Sequence, residues 1–222
     1  MKLSSVLRFI SVAALLSFAS AQAQLLNAFG VKAGINSSTS NIELRAFGGE
    51  SLDTKRRTGI HAAIFAEWLK LPVFSVVTQV EYAQRGFIDE IPVTGEDSPE
   101  LLGYATSNTR LDYLSVPMLL KLKIPGASIL PYVLAGPRFD FLVNREAGNY
   151  ELGNMSFPNL FAPDFKDQTT GGTVGLGMTT GKALLLPLLL ELRYNFDFND
   201  SADTRAIRAK NNSVDVWLGI ML

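Results

Sequence analysis

Across residues 186–200 the chain alternates strictly. Leu186, Leu188, Leu190, Leu192, Tyr194, Phe196 and Phe198 share one parity, and Pro187, Leu189, Glu191, Arg193, Asn195 and Asp197 share the other. A period of two sends successive side chains to opposite faces, so this stretch predicts a β-strand with one greasy face and one that turns ionic after Leu189. The same alternation recurs at residues 28–37, 57–68, 73–87, 110–124, 129–143, 169–180 and 213–222, giving eight candidate strands. Most exceed the ~5–6 residues of strands in ordinary sheets. They suit the ~9–11 residues that a tilted strand needs to cross a bilayer.

The connections alternate as well. Residues 38–56, 88–109, 144–168 and 199–211 are long and polar, whereas the links near 69–72, 125–128 and 181–184 are short. Short turns on one side and long loops on the other are characteristic of barrels in outer membranes. The expected fold is therefore all-β: an eight-stranded antiparallel up-and-down transmembrane β-barrel with three short periplasmic turns and four long extracellular loops. Both termini are expected in the periplasm. Pro117 and Pro137 fall inside strands, where bulges are expected to absorb them.

The second parity carries the charge. Lys32, Arg85, Lys121, Lys123, Arg138 and Arg193 share it with Glu67, Glu81, Asp140, Glu191, Asp197 and Asp215, six cations against six anions. A barrel of eight strands is just wide enough to be filled by its own side chains. Charges placed there need partners. The sequence thus predicts a paired lumenal network of Lys32, Glu67, Glu81, Arg85, Lys121, Arg138, Asp140, Glu191, Arg193 and Asp215, with Glu191 and Arg193 pointing inward.

Composition sharpens this picture. Hydrophobic residues make up 47% of 222 residues, and the mean hydropathy of +0.18 is low for a helical membrane protein. The formal net charge of -1 offers no basic field for nucleic acid, and the absence of cysteine excludes disulfides and thiolate metal sites. Lys2 and Arg8, an apolar run over residues 9–21 and Ala21-Gln22-Ala23 have the form of a secretory signal. Its apolar core is shorter than the ~20 residues of a spanning helix. Residues 1–23 are assigned to a cleaved signal peptide and residues 24–222 to the barrel.

Candidate chemistry is sparse. His61, the one histidine, lies on the interior parity without a motif that pairs it with a nucleophile, and reads as a hydrogen-bonded filler. Gly175, Gly177 and Gly181 half resemble a dinucleotide loop, but they fall in a strand and make room in the lumen. The acidic segment 88–109 lacks the fixed ligand spacing of a cation site. No catalytic residue, cofactor or metal is assigned. In the segment 155–165, Phe157, Leu160, Phe161 and Phe165 form an apolar cluster where water is expected, a candidate partner-contact loop. The competing reading folds these side chains over the barrel mouth.

Four stretches in order, GVKAGIN at 30–36, EYAQRGF at 81–87, YLSVPMLLK at 113–121 and PYVLAGP at 131–137, resemble the PorT-type outer-membrane β-barrel family of Bacteroidetes. The resemblance spans essentially the whole mature chain. It implies an outer-membrane barrel in a Gram-negative envelope. Its partners would be membrane lipid and lipopolysaccharide, the barrel-assembly machinery during biogenesis, and an envelope protein. The expected function is a non-enzymatic structural or accessory role in an envelope or secretion complex. Two alternatives stand beside it: a narrow transporter or channel for small or hydrophobic solutes, and a soluble lipocalin-like ligand-binding barrel.

Overall fold

In the computed structural model, residues 26–44, 50–52, 54–69, 71–95, 98–125, 129–159, 164–180, 186–203 and 207–222 are described. The expected signal peptide lies outside them. Among the described residues the alternating segments become eight long strands: β1 (Leu26–Leu44), β2 (Lys55–Trp68), β3 (Phe74–Gly95), β4 (Ser98–Lys123), β5 (Ile129–Ala147), β6 (Gln168–Thr180), β7 (Leu188–Asp197) and β8 (Ile207–Met221). Each pairs antiparallel with the next. Strand β8 then returns to β1, in register from Gly30↔Met221 to Leu44↔Ile207, and closes the ring. Closure leaves no open edge, the condition for a sheet to stand in hydrocarbon.

Two boundaries differ from the sequence reading. Residues 88–95 and 98–109 are not a loop: β3 and β4 continue as a paired ribbon from Phe74↔Leu122 out to Gly95↔Ser98. Likewise β1 runs on to Leu44, and Glu50–Leu52 folds back onto it. Hydrophobic alternation fades there because the buried face, Ala105, Ser107 and Thr109, is small or polar, but backbone pairing continues, so periodicity marks the lipid-facing part only. The long connections are therefore partly strand extensions past the barrel. The expected bulges at proline are also absent. Pro117↔Arg138 and Pro137↔Gly172 hold the register of their neighbours, and the pairing merely skips positions beside them.

The two parities face as the alternation requires. Outward sit Val31, Ile35, Ile60, Ile64, Val80, Leu120, Val133, Leu176, Leu190, Leu192, Val216 and Leu218, all exposed. Phe29, Trp68 and Phe74 lie toward the short-link rim, and Tyr82, Phe139, Phe141, Tyr194 and Phe198 toward the other end. Aromatic girdles flanking an apolar band are the surface of a barrel in lipid. A soluble lipocalin-like barrel needs the reverse arrangement, and that alternative is overturned.

Inward, bulky side chains alternate with gaps opposite them. A methyl group on Gly177 would stand 2.6 Å from the Tyr132 ring, and one on Gly30 2.8 Å from the Phe65 ring. Two apolar layers fill the ends of the lumen. Phe65, Val77, Leu119, Tyr132, Leu134 and Leu189 pack near the short-link rim. Ile42, Phe87, Leu111, Tyr113, Phe165, Ala202 and Ala209 pack at the opposite end.

Leu190→Arg places a cation on the lipid face and is expected to cost ~2–4 kcal/mol near the bilayer midplane. Urea unfolding from lipid vesicles, followed by tryptophan fluorescence, measures this; an unchanged midpoint would remove Leu190 from the lipid face.

Candidate functional site

Between the two apolar layers lies the charged middle of the lumen. Lys32, Glu81, Arg85, Arg138, Asp140, Glu191, Arg193 and Asp215 point into it, and Glu67 and Lys121 point inward nearer the short-link rim, none more than 4% exposed. The strands supply them at alternate positions, so no loop is needed to hold any of them in place.

Eight of them divide into three groups. At the short-link rim Glu67 accepts from Lys121 Nζ (2.8 Å), Lys123 Nζ (3.0 Å) and Asn27 Nδ2 (3.0 Å). A cavity of about 120 Å³ opens beside them, lined by Asn27, Glu67, Lys121, Lys123, Tyr132 and Thr179. Next, Glu191 accepts from Lys32 Nζ and Tyr132 Oη, both at 2.9 Å, and pairs with Arg193. Arg193 also donates to Gln79 Oε1 at 3.2 Å. Higher in the barrel, Asp140 receives Arg85 at 2.9 Å and Arg138 at 2.7 Å, and Arg138 reaches on to Asp197 at 2.8 Å.

A second chain of contacts crosses from β2 to β8. Asp215 accepts from Asn195 Nδ2 (2.6 Å) and Ser213 Oγ (2.7 Å). The His61 ring stacks on Trp217 with centroids 3.6 Å apart and planes 5° from parallel. Lys32 Nζ sits 4.8 Å from the Trp217 ring, close enough for a cation–π contact. Opposite charges within reach of one another, excluded from water, lock the interior into one arrangement.

The sequence reading omitted Gln79, Tyr132, Asn195 and Trp217 from the network. Their only signal is shared parity with the charges, and parity does not say which neutral side chain spans to which ion. His61, a hydrogen-bonded filler on the sequence, does bond the Val216 carbonyl, and β2, β3 and β8 also bring it beside Glu81 and Asp215.

The candidate partner-contact loop needs correction. Phe165 is buried and packs against Phe87 at 6.3 Å, covering the lumen instead of facing solvent. Burial of an aromatic against the open apolar end of the barrel is worth more than its exposure to water. Phe157 is half-exposed, in a small hairpin of Tyr150–Leu152 with Met155–Phe157. Leu160 and Phe161 lie outside the described residues. Tyr150 anchors that hairpin by donating to Asp89, and burial together with this carboxylate pushes its phenol above the ordinary range.

Residues 20–203 match the outer membrane protein beta-barrel domain. The chain belongs to that family. Its membrane is accordingly the Gram-negative outer membrane. No curated protein matches the chain. Among solved structures, similar folds include three bacterial barrels. Ail, the attachment invasion locus protein of Yersinia pestis, crystallised with a heparin analogue, is 13% identical, covering 88% of this chain and 98% of its own, with a TM-score of 0.42. OprG of Pseudomonas aeruginosa is 14% identical over 89% and 94%, with a TM-score of 0.43. The outer membrane protease OmpT of Escherichia coli is 11% identical over 88% and 96%, with a TM-score of 0.47.

Glu191→Leu leaves Lys32 and Arg193 buried without their carboxylate and is expected to lower stability by ~3–5 kcal/mol. Glu43→Gln, at an exposed pair 3.8 Å from Arg208, is expected to stay within about 0.5 kcal/mol of the parent. Paired urea titrations in detergent compare the two, and equal midpoints would refute the paired lumen.

Proposed function

We propose that this outer-membrane barrel is a non-conducting, non-enzymatic structural or accessory component of a larger envelope or secretion assembly, of the PorT type within its family. The observation that carries this reading is the closed lumen: a layer of paired charges held between two apolar layers, with Phe165 folded over one of them. A solute path along the axis would have to break several buried ion pairs at once. Export would begin with cleavage of the signal peptide after Ala23, and insertion would engage the barrel-assembly machinery. Lipid and lipopolysaccharide would cover the apolar band.

In this reading both termini are periplasmic, and the β3–β4 ribbon and the 150–157 hairpin stand at the cell surface. Leu101, Leu102 and Tyr104 on the ribbon and Met155 on the hairpin are exposed. They replace Phe165 as the side chains best placed to meet an envelope partner.

Purified protein in planar bilayers is expected to give no stepwise conductance. Reproducible single-channel steps would favour the narrow-channel alternative. For orientation, Asn154→Cys is expected to react in whole cells with a membrane-impermeant thiol reagent, and Ile124→Cys only after lysis. The native chain has 0 Cys, so each label reports one site; the opposite pattern inverts the topology.

A further inference from the structure

Three strands deliver potential metal ligands to one point in the lumen. His61 of β2, Glu81 of β3 and Asp215 of β8 each place one ligand atom within 4.8 Å of the other two. None of the three is more than 3% exposed. His61 Nε2 lies 3.1 Å from the Val216 carbonyl oxygen. A carbonyl only accepts, so Nε2 carries a proton, and Nδ1 is the ring atom that faces the carboxylates. No hydrogen bond reaches Nδ1. Asp215 Oδ2 stands 3.6 Å from it, beyond hydrogen-bond range.

Glu81 Oε1 likewise accepts no hydrogen bond. Arg85 Nη2 stands 3.6 Å from it, while Nη1 of the same guanidinium pairs with Asp140 at 2.9 Å. Of the three converging ligand atoms, His61 Nδ1 and Glu81 Oε1 are thus buried without a hydrogen bond, while Asp215 Oδ2 accepts from Asn195 Nδ2 at 2.6 Å. That arrangement is costly unless a cation joins it.

The surroundings fix the three groups as ligands are usually fixed. The His61 N–H is held by a backbone carbonyl. Gln79 Nε2 donates to Glu81 Oε2 at 2.8 Å, and Asn195 and Ser213 orient Asp215. Partners of this kind set tautomer and orientation around bound metals. The Trp217 stack fixes the ring plane, and Gly34 keeps space for it: a methyl there would stand 2.3 Å from Nε2.

We propose that His61 Nδ1, Glu81 Oε1 and Asp215 Oδ2 form a binding site for a single Zn²⁺ ion. One imidazole with two carboxylates suits zinc, whereas Ca²⁺ and Mg²⁺ prefer oxygen alone. Zinc bonds of ~2.0–2.2 Å bring tetrahedral ligand atoms about 3.3 Å apart, so the ligand atoms, now within 4.8 Å of one another with His61 and Asp215 at 3.6 Å, draw together on binding. A fourth position is left for water. The ion neutralises the two carboxylates and ties β8, the strand that closes the barrel, to β2 and β3 across the lumen. Because the site is sealed, zinc enters as the barrel folds and leaves slowly afterwards.

The test uses the full chain. Protein denatured in urea is refolded into detergent with equimolar ZnCl₂ or with EDTA, washed with chelator, and its zinc counted by mass spectrometry. Folding is verified in every sample by heat-modifiable migration. Wild type refolded with zinc is expected to retain about one equivalent and to unfold at higher urea than the EDTA sample. Glu81→Gln and Asp215→Asn are expected to retain at least tenfold less and to lose the difference between the two midpoints. Should either variant fail to fold, the wild-type pair and the nitrogen NMR shifts of the single imidazole decide alone. Nδ1 bound to metal supports the site. A folded wild type that holds less than a tenth of an equivalent, with His61 doubly protonated, overturns it. So does zinc retained equally by wild type and both folded variants.

Discussion

A charge inside a barrel too narrow to hold bulk water has only other side chains to answer it, and this requirement organises the interior. Removing a carboxylate or a guanidinium from water costs several kcal/mol per ion even after relaxation. The lumen meets that cost with shared partners: Asp140 receives two arginines, Glu191 a lysine, an arginine and a tyrosine, and Glu67 two lysines and an asparagine. Glycines opposite the bulkiest inward side chains supply the room for them, as Gly177 does for Tyr132.

The apolar layers at either end depend on the same requirement. They keep water away from the ions, which strengthens each pair and makes any unpaired group expensive. The lipid outside imposes the complementary demand, that every backbone group find a partner within the wall. Closure of β8 onto β1 meets it, and the continuous register explains how two prolines are tolerated. Each loses one N–H from the ladder, while the neighbouring pairs on both sides hold the strands in place. Beyond the bilayer neither demand applies. There the β3–β4 ribbon continues on backbone pairing, with Leu101, Leu102 and Tyr104 exposed and Tyr150 donating to Asp89.

Alternation by itself determined the eight spanning strands, the face each residue takes and the set of charges that share the lumen, because lipid on one side and a closed interior on the other leave a period-two sequence a single way to fold. Glu191 and Arg193 are legible as inward from their neighbours Leu190 and Leu192. What only the tertiary structure decided is everything that depends on stagger between strands. Register sets which charge meets which, so the pairing of Arg138 with both Asp140 and Asp197 could not be read from parity. It also brought the lone His61 to Glu81 and Asp215 from strands far apart in sequence. Strand ends past the membrane were invisible for the opposite reason: the face that stays buried there, Ala105, Ser107 and Thr109, is small or polar and carries no hydrophobic period, while backbone pairing continues. Phe165 was ambiguous for want of a neighbour. An aromatic in a polar segment looks exposed until the apolar mouth formed by Phe87, Leu111 and Ala209 is there to receive it.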